Sequence, residues 1–203
     1  MTFPKQIRNL IEAFERLPGV GGKTAARLTF YLLHVPDEEI NRLGNAVLNL
    51  KKDIYYCSIC KNISDKEVCE ICSDPARDKG LICIVESPLD VFSLEATGKY
   101  KGLYHVLHGV IDPLHNMGPE ELYIDSLMEH IADSGKRIEE IILALNPTME
   151  GEATAMYLKN KIRNSNFEIR ISRLGMGMPT GGDIQYADET TLQQALAGRR
   201  DYE

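Results

Sequence analysis

Four of the five cysteines fall in one short segment, CSICKNISDKEVCEIC, as two C-x-x-C pairs with eight residues between them. The first pair is Cys57 and Cys60, and the second is Cys69 and Cys72. Each pair can present two thiolates from one tight turn, which is typical of a tetrahedral zinc site. Because four thiolates leave no position for water, we expect one structural zinc ion per chain. The short interval predicts a compact knuckle without a recognition helix of its own.

Disulfides or redox pairs are the alternative interpretation of these cysteines. The chain has no apolar run of the roughly 18 residues that a membrane-spanning helix needs, and its start, MTFPKQIRNL, lacks the apolar stretch of a signal peptide. We therefore expect a cytoplasmic protein with no membrane contact, where reducing conditions favour zinc over disulfides. The fifth cysteine, Cys83, lies in the apolar run LICIVE and is predicted to be a core residue.

A glycine-rich segment near the N-terminus, LPGVGGKTAARL, has the Gly-Lys-Thr end of a nucleotide-binding P-loop, but Leu17 stands where that motif requires glycine. Apolar residues before it repeat at helical spacing: Ile7, Leu10, Ile11, Phe14 and Leu17. A second helix is predicted to begin near Lys23, so the pattern is typical of a helix-hairpin-helix. Glycines such as Gly19 and Gly21 would let backbone N–H groups approach a phosphate of nucleic acid.

The formal charge of −7 argues against a surface that binds nucleic acid everywhere. Residues 1–35 are nevertheless basic, with five Lys and Arg residues against two Glu residues, a balance of +3. A solvated helix face would explain this balance by itself. Combined with the hairpin, it predicts a localised DNA contact.

From residue 80 onward, short apolar runs alternate with predicted helices. Strands are expected at 81–86, 104–109, 139–145 and 167–174, and helices near 88–97, 119–134 and 150–163. This alternation predicts a mostly parallel α/β sheet. Functional residues gather at the carboxyl ends of such strands, where Glu86 ends the first and the segment NPTMEGE ends the third. A separate helix is predicted before the cysteines, capped near Asp37 and with apolar residues at helical spacing: Ile40, Leu43, Val47 and Leu50.

The segment VESPLDV followed by NPTMEGEATA resembles the Toprim domain of type I topoisomerases, primases and certain nucleases. That domain carries a strand-end Glu and a later D-x-D, whose carboxylates would hold magnesium for phosphoryl transfer. Here Asn146 and Thr148 stand at the D-x-D positions. The acids that remain are Glu86, Glu150 and Glu152. Neutral oxygens supply little of the charge that a divalent cation draws from its ligands, which favours a non-catalytic domain.

The order of parts resembles the RecR recombination-mediator family from end to end, including the tail MPTGGDIQYADETTLQQALAGRR. The resemblance implies a multi-part α+β fold. Its parts are a helix-hairpin-helix DNA-binding region at 1–54, a zinc knuckle at 55–76, a Toprim domain at 79–174 and a C-terminal segment at 175–203. That last segment should contain a Gly-rich loop, a Walker B-like element ending at Asp183 and a helix near 188–198. Without a Walker A motif, we expect it to form turns and subunit contacts, not to hydrolyse nucleotide.

Members of this family are not enzymes, and the resemblance implies the same here. They act with RecO and RecF to help RecA load onto single-stranded DNA coated with single-strand binding protein. Lys23 and Arg27 match the cationic positions expected to contact the DNA backbone, beside Gly19 and Gly21. Binding to single- or double-stranded DNA should be sequence-independent and should weaken steeply with salt.

Four residues on the predicted Toprim face resemble the region through which the family meets RecO: Glu86, Asn146, Glu150 and Glu152. An acidic patch of this kind would attract a basic partner. Solvated charges or helix caps are the alternative, since Glu150 and Glu152 lie in a first helical turn where the dipole favours acids. Family members form dimers and ring-like tetramers, so the resemblance implies a homo-oligomer that is associated with the nucleoid during repair.

Two other functions stay open at this point. A magnesium-dependent Toprim nuclease or primase-like enzyme would require Glu86 for turnover. A zinc-dependent interaction module that never touches nucleic acid would show no salt-dependent DNA binding and no effect of replacing Lys23 and Arg27.

Overall fold

The computed structural model describes residues 3–134, 138–165 and 167–199. The chain forms two compact units, Met1–Asp53 and Ile54–Glu203. Residues 1–2 and 200–203, which belong to the first and last predicted segments, lie outside the described residues. None of the helices within the described ranges has the length and apolar character needed to cross a membrane.

The first unit is helical, with α1 (Lys5–Glu15), α2 (Gly22–Leu32) and α3 (Asp37–Asn49). α1 packs against α2, as the predicted helical stripe before the glycine turn requires. α2 buries Ala25 and Thr29, and in the described part of this unit these are the only fully buried residues. The unit therefore has a very small interior of its own.

α3 carries an apolar stripe that stays in solvent. The cap predicted near Asp37 is not formed, because Pro36 is the N-cap residue and no side chain among the described residues caps the helix. Asp37 is instead the first residue of the helix, and the acids of the first turn interact favourably with the helix dipole. Its stripe residues remain 37% to 65% exposed: Ile40, Leu43, Val47 and Leu50. A helical apolar stripe normally packs on another surface. The described chain leaves this one uncovered.

The second unit begins with the cysteine module. Strands β1 (Tyr55–Tyr56) and β2 (Ile63–Ser64) pair antiparallel, and the one-turn helix α4 (Glu70–Ser73) follows. These short elements leave the module without a long helix, as the eight-residue interval between the cysteine pairs predicts.

A four-stranded sheet forms the centre of the second unit, in the order β4-β3-β5-β6. The strands are β3 (Asp78–Val85), β4 (Gly102–Val106), β5 (Glu140–Leu143) and β6 (Arg170–Arg173). Every neighbouring pair is parallel, which confirms the predicted sheet. β4 ends earlier than the predicted 104–109, because His108 and Gly109 take positive φ angles of 61° and 151° that interrupt an extended strand.

Helices α5 (Pro88–Glu95), α6 (Ile124–Asp133) and α7 (Met149–Arg163) connect these strands. α6 begins later than predicted, because Pro119–Glu121 forms a 3-10 turn and Leu122 is extended. The sheet is buried on both faces, as parallel sheets usually are. Along β3, Ile82 and Ile84 enter the larger apolar cluster. Cys83 enters the second cluster, and burial raises the pKa of its thiol to about 12, so its core assignment is confirmed.

The C-terminal segment adds a 3-10 turn, Ile184–Tyr186, and helix α8 (Glu189–Ala197). Asp183, the acid of the predicted Walker B-like element, accepts a hydrogen bond from the Gln185 N–H at 3.2 Å. Asp188 caps α8 by accepting from the Thr191 N–H at 2.9 Å. Both acids therefore serve as N-caps of these short elements.

Candidate functional site

The four clustered cysteines converge on one point. The sulfur atoms of Cys57, Cys60, Cys69 and Cys72 all lie within 4.8 Å of one another. Four sulfurs held about 2.3 Å from a tetrahedral ion stand about 3.8 Å apart, so this arrangement fits zinc. Three of the side chains are buried and Cys72 is half-buried, so the set is shielded from solvent, as a structural site requires.

Backbone amides support the sulfur atoms as thiolates. The Cys69 N–H donates to Cys57 Sγ at 3.3 Å, and the Cys72 N–H donates to Cys69 Sγ at 3.5 Å. Hydrogen bonds among the sulfurs lower the pKa of Cys69, chiefly through Cys60 and next through Cys72. The same set of contacts raises the pKa of Cys60, chiefly through Cys69, and that of Cys72, chiefly through Cys60. After the first pair, Lys61 turns the chain back with a φ of 60° while its N–H donates to the Cys57 carbonyl at 3.0 Å. Local hydrogen bonding therefore prepares the cluster for a cation.

The glycine turn exposes backbone amides at the start of α2. Gly19 has a φ of 77°, the left-handed conformation that favours glycine. Gly21 is the N-cap residue, and having no side chain it cannot cap the first turn of α2. In the described residues no side chain caps the amides of that turn, which lie at the positive end of the helix dipole, where an anionic oxygen binds favourably.

Two exposed cations stand beside these amides. Lys23 and Arg27 are four residues apart on α2 and so share one face of the helix. In the described ranges neither side chain forms an ion pair within 4.0 Å. One acid is also close, because Glu15 Oε1 lies 2.8 Å from the position that a Cβ on Gly22 would occupy. A phosphate at this surface would meet two cations and one movable carboxylate.

The carboxyl edge of the sheet brings two sequence-predicted residues into direct contact. Glu86 follows β3 and Asn146 follows β5. The Asn146 backbone N–H donates to Glu86 Oε1 at 2.5 Å, and Asn146 Nδ2 donates to Glu86 Oε2 at 2.7 Å. Both carboxylate oxygens of Glu86 are therefore held by an asparagine at the position where the Toprim pattern has an aspartate.

Arg173 completes this edge and was not singled out from the sequence. It ends β6 and donates from Nη2 to Glu152 Oε1 at 2.6 Å. The same side chain reaches the Leu143 carbonyl at 2.8 Å and the Asn146 carbonyl at 3.3 Å. Its position at the end of a predicted parallel strand could have indicated this role, because the carboxyl ends of parallel strands meet at one edge of the sheet.

The edge does not fit a divalent cation. Arg173 brings a positive charge to the loop where a metal would need to bind, and Asn146 presents a hydrogen-bond donor to Glu86. In the described part of the chain, Glu86, Glu150 and Glu152 do not converge as a metal-ligand group. A hard cation needs several oxygen ligands with negative charge, and these residues do not offer them together.

The remaining positions of the motif serve the start of α7. Thr148 is the N-cap and its Oγ1 accepts from the Gly151 N–H at 3.0 Å. A Cβ on Gly151 would lie 2.1 Å from the Asn146 carbonyl oxygen, so the loop can only approach a glycine here. Glu150 lies in the first turn, and among the described residues no hydrogen bond or ion pair engages its carboxylate. Of the predicted acids, Glu150 is the one left available to another molecule.

Family models match nearly the whole chain. The model described as "RecR, helix-hairpin-helix" matches residues 7–50, and the RecR model for a zinc finger domain with four cysteines matches residues 54–74. A Toprim domain model matches residues 80–174, and "RecR, C-terminal" matches residues 177–200. Together with the converging sulfur atoms, these matches confirm the predicted zinc ion, helix-hairpin-helix and Toprim domain.

Two curated relatives extend along the full chain. Recombination protein RecR of Bifidobacterium adolescentis is 48% identical over 200 residues, covering 98% of this chain and 98% of the relative. Recombination protein RecR of Enterococcus faecalis is 46% identical over 201 residues, covering 99% of this chain and 100% of the relative. Identity at this level along the whole length shows common ancestry with these proteins. The chain belongs to the RecR family of recombination proteins.

Proposed function

We propose that this chain is a recombination mediator of DNA repair that holds DNA by its backbone and performs no chemistry on it. The observation that carries the proposal is the start of α2, where uncapped amides and two exposed cations lie together in a member of the RecR family. The predicted division into 1–54, 55–76, 79–174 and 175–203 separates the DNA contact from the zinc, partner and C-terminal functions. A role on chromosomal DNA places the protein in the cytoplasm, at the nucleoid during repair.

The DNA contact is made through phosphate. Gly19 and Gly21 leave the amides at the start of α2 open to a phosphate oxygen, and Lys23 and Arg27 neutralise neighbouring phosphates. These groups reach the sugar-phosphate chain and read no base edges, so single and double strands of any sequence are bound. Each neutralised phosphate releases counterions, which makes the affinity fall with salt.

Replacing Lys23 and Arg27 together with Gln should weaken duplex binding at least tenfold at low salt. The slope of log K against log salt should become shallower by about 1.8, since each phosphate contact contributes about 0.9. The measurement is fluorescence anisotropy of a labelled duplex between about 50 and 200 mM salt. Glu15→Gln should have the opposite effect and strengthen binding, because it removes a carboxylate beside the same amides.

The matched control is Lys5→Gln with Arg8→Gln, which removes the same charge from exposed positions on α1. An unchanged affinity and slope in the Lys23 and Arg27 variant would refute the hairpin as the DNA contact. Strands incubated with the protein and magnesium should keep their length. Cleavage or primer synthesis that disappears in Glu86→Ala would instead support the Toprim enzyme.

The proposed contact with RecO lies on the carboxyl edge of the sheet, at Glu86, Asn146, Glu150 and Glu152. Asn146 and Arg173 already engage Glu86 and Glu152, so Glu150 is the acid that a basic partner can pair with directly. RecF is the second proposed partner, and the joint outcome is RecA loading on single-stranded DNA coated with single-strand binding protein.

Glu150→Lys should weaken RecO binding at least tenfold, because a like charge then faces a basic surface. Calorimetric titration of RecO into the variant measures the change. Glu168→Lys is the matched control, since it makes the same charge change at an exposed position before β6. Equal losses in both variants, or no loss in Glu150→Lys, would remove Glu150 from the interface.

The proposed assembly is a homo-dimer or a ring-like homo-tetramer. The exposed apolar stripe of α3 supports self-association, since it gives a second copy a hydrophobic surface to cover. A ring would also let a chain of charge −7 hold DNA against its basic N-terminal surface while acidic surface faces outward.

A further inference from the structure

Three aromatic rings and one cation lie together on the second unit. The Tyr56 ring centroid is 4.5 Å from that of His108 and 5.9 Å from that of Tyr123. The His108 and Tyr123 centroids are 5.2 Å apart, and Lys61 Nζ lies 5.9 Å from the Tyr123 centroid. We call these four residues the Tyr56 cluster.

The outermost ring of the Tyr56 cluster is open to solvent. Tyr56 is 53% exposed, while His108 and Tyr123 are half-buried beneath it. An aromatic ring that is half in water contributes little to a core, yet its face is available for stacking. The cluster therefore offers the exposed Tyr56 ring, which is supported by two rings tilted from it by 54° and 66°.

The zinc knuckle holds this surface in place. The left-handed turn at Lys61 directs its carbonyl to His108 Nε2 at 2.7 Å, and His108 itself has a φ of 61°. Non-glycine residues adopt such angles only where surrounding contacts enforce them. The geometry therefore fixes the His108 ring against both tyrosines before any ligand arrives.

Lys61 can reach a ligand that stacks on the Tyr56 cluster. Lys61 Nζ donates to the Ser58 carbonyl at 2.9 Å, which uses one of the three donors of an ammonium group. Within the described residues no other hydrogen bond or ion pair engages this ammonium group, so its remaining donors can meet an anionic oxygen next to the rings.

We propose that the Tyr56 cluster stacks a base of single-stranded nucleic acid while Lys61 binds the adjacent phosphate. Exposed rings beside a cation are the elements from which single-strand sites are built. Bases inside a duplex are already stacked on each other and cannot offer their faces, so the cluster selects single strands. The inference rests on the proposed function, because it adds a second contact to a DNA-binding chain.

The test uses the full chain and an oligo-dT strand that carries one 2-aminopurine, whose fluorescence falls when it stacks. Tyr56→Leu should weaken single-strand binding about tenfold, the loss of one stacked base, and should abolish the fluorescence change. Duplex binding should be unaltered, and Tyr56→Phe should keep both properties because it keeps the ring. Tyr55→Leu is the matched control: it is 54% exposed in the same strand, where neighbouring side chains point to opposite faces.

Each outcome decides the question. Unchanged single-strand binding in Tyr56→Leu, with duplex binding intact, would overturn the inference and leave the proposed function standing. Equal losses on both kinds of DNA, or an altered oligomer mass, would also overturn it. If the wild-type protein binds no DNA, both this inference and the proposed function are refuted. If Tyr56→Leu loses zinc, then Lys61→Gln decides: it should reduce the single-strand salt slope by about 0.7, while Lys66→Gln, an exposed lysine of the same module, should not.

Discussion

Cys60→Ser should expel the zinc ion and unfold the cysteine module. Cys60 is 1% exposed and its sulfur lies 3.5 Å from that of Cys69, so a serine oxygen would replace a central ligand with a much poorer one. The binding energy of such closed sites, about 10–16 kcal/mol in zinc-finger peptides at pH 7, is folding energy. The Cys60 carbonyl also accepts from the Val106 N–H at 2.9 Å, so the damage should reach the end of β4.

Zinc content per chain and thermal unfolding measure this effect. Cys83→Ser is the matched control, because Cys83 is equally buried but lies outside the sulfur cluster. That control should cost about 1–3 kcal/mol, the penalty for burying a hydroxyl, and should keep its metal. A Cys60→Ser protein with one zinc per chain and unchanged unfolding would contradict the site.

Gly151→Ala should destabilise the second unit by about 3 kcal/mol, near the upper end of the usual cost of overpacking. The new Cβ would lie 2.1 Å from the Asn146 carbonyl oxygen, which is a backbone atom and cannot rotate away. The loop would have to move, and with it the two hydrogen bonds that Asn146 donates to Glu86. For a chain of this size we expect the melting temperature to fall by about 6–12 °C.

Gly44→Ala provides a control of opposite sign. Gly44 lies inside α3, and a Cβ there would meet nothing within 4 Å. Alanine in a helix interior is more favourable than glycine by up to about 1 kcal/mol, so this variant should unfold at the same or a higher temperature. A melting temperature of Gly151→Ala equal to that of the wild type would show that the loop at Asn146 is not confined by α7.

Patterns that repeat along the chain were predictable from sequence. The cysteine spacing indicates the zinc cluster, since four thiolates at that interval have few other uses in a reducing compartment. The alternation of apolar runs and helices indicates the parallel sheet, and it places Glu86 and Asn146 at one edge. Both inferences depend on spacing and residue type, which a sequence displays directly.

Contacts between distant residues were not predictable in the same way. The presence of Asn146 in place of an acid suggested a lost metal site. The sequence does not reveal that Asn146 donates a hydrogen bond to Glu86 or that Arg173 pairs with Glu152. The Tyr56 cluster likewise joins residues from three segments, and no local pattern marks them as neighbours. Strand β4 ended early because of two left-handed residues, one of which is a histidine and carries no turn signal.

The shallow interior of the N-terminal helices has a consequence for their stability. With Ala25 and Thr29 as the fully buried residues among those described there, the apolar area removed from water is too small to offset much chain entropy. The proposed self-association would cover the α3 stripe and add burial, so by mass action the folded fraction of these helices should rise with protein concentration. Dilution should therefore unfold the N-terminal helices before the second unit.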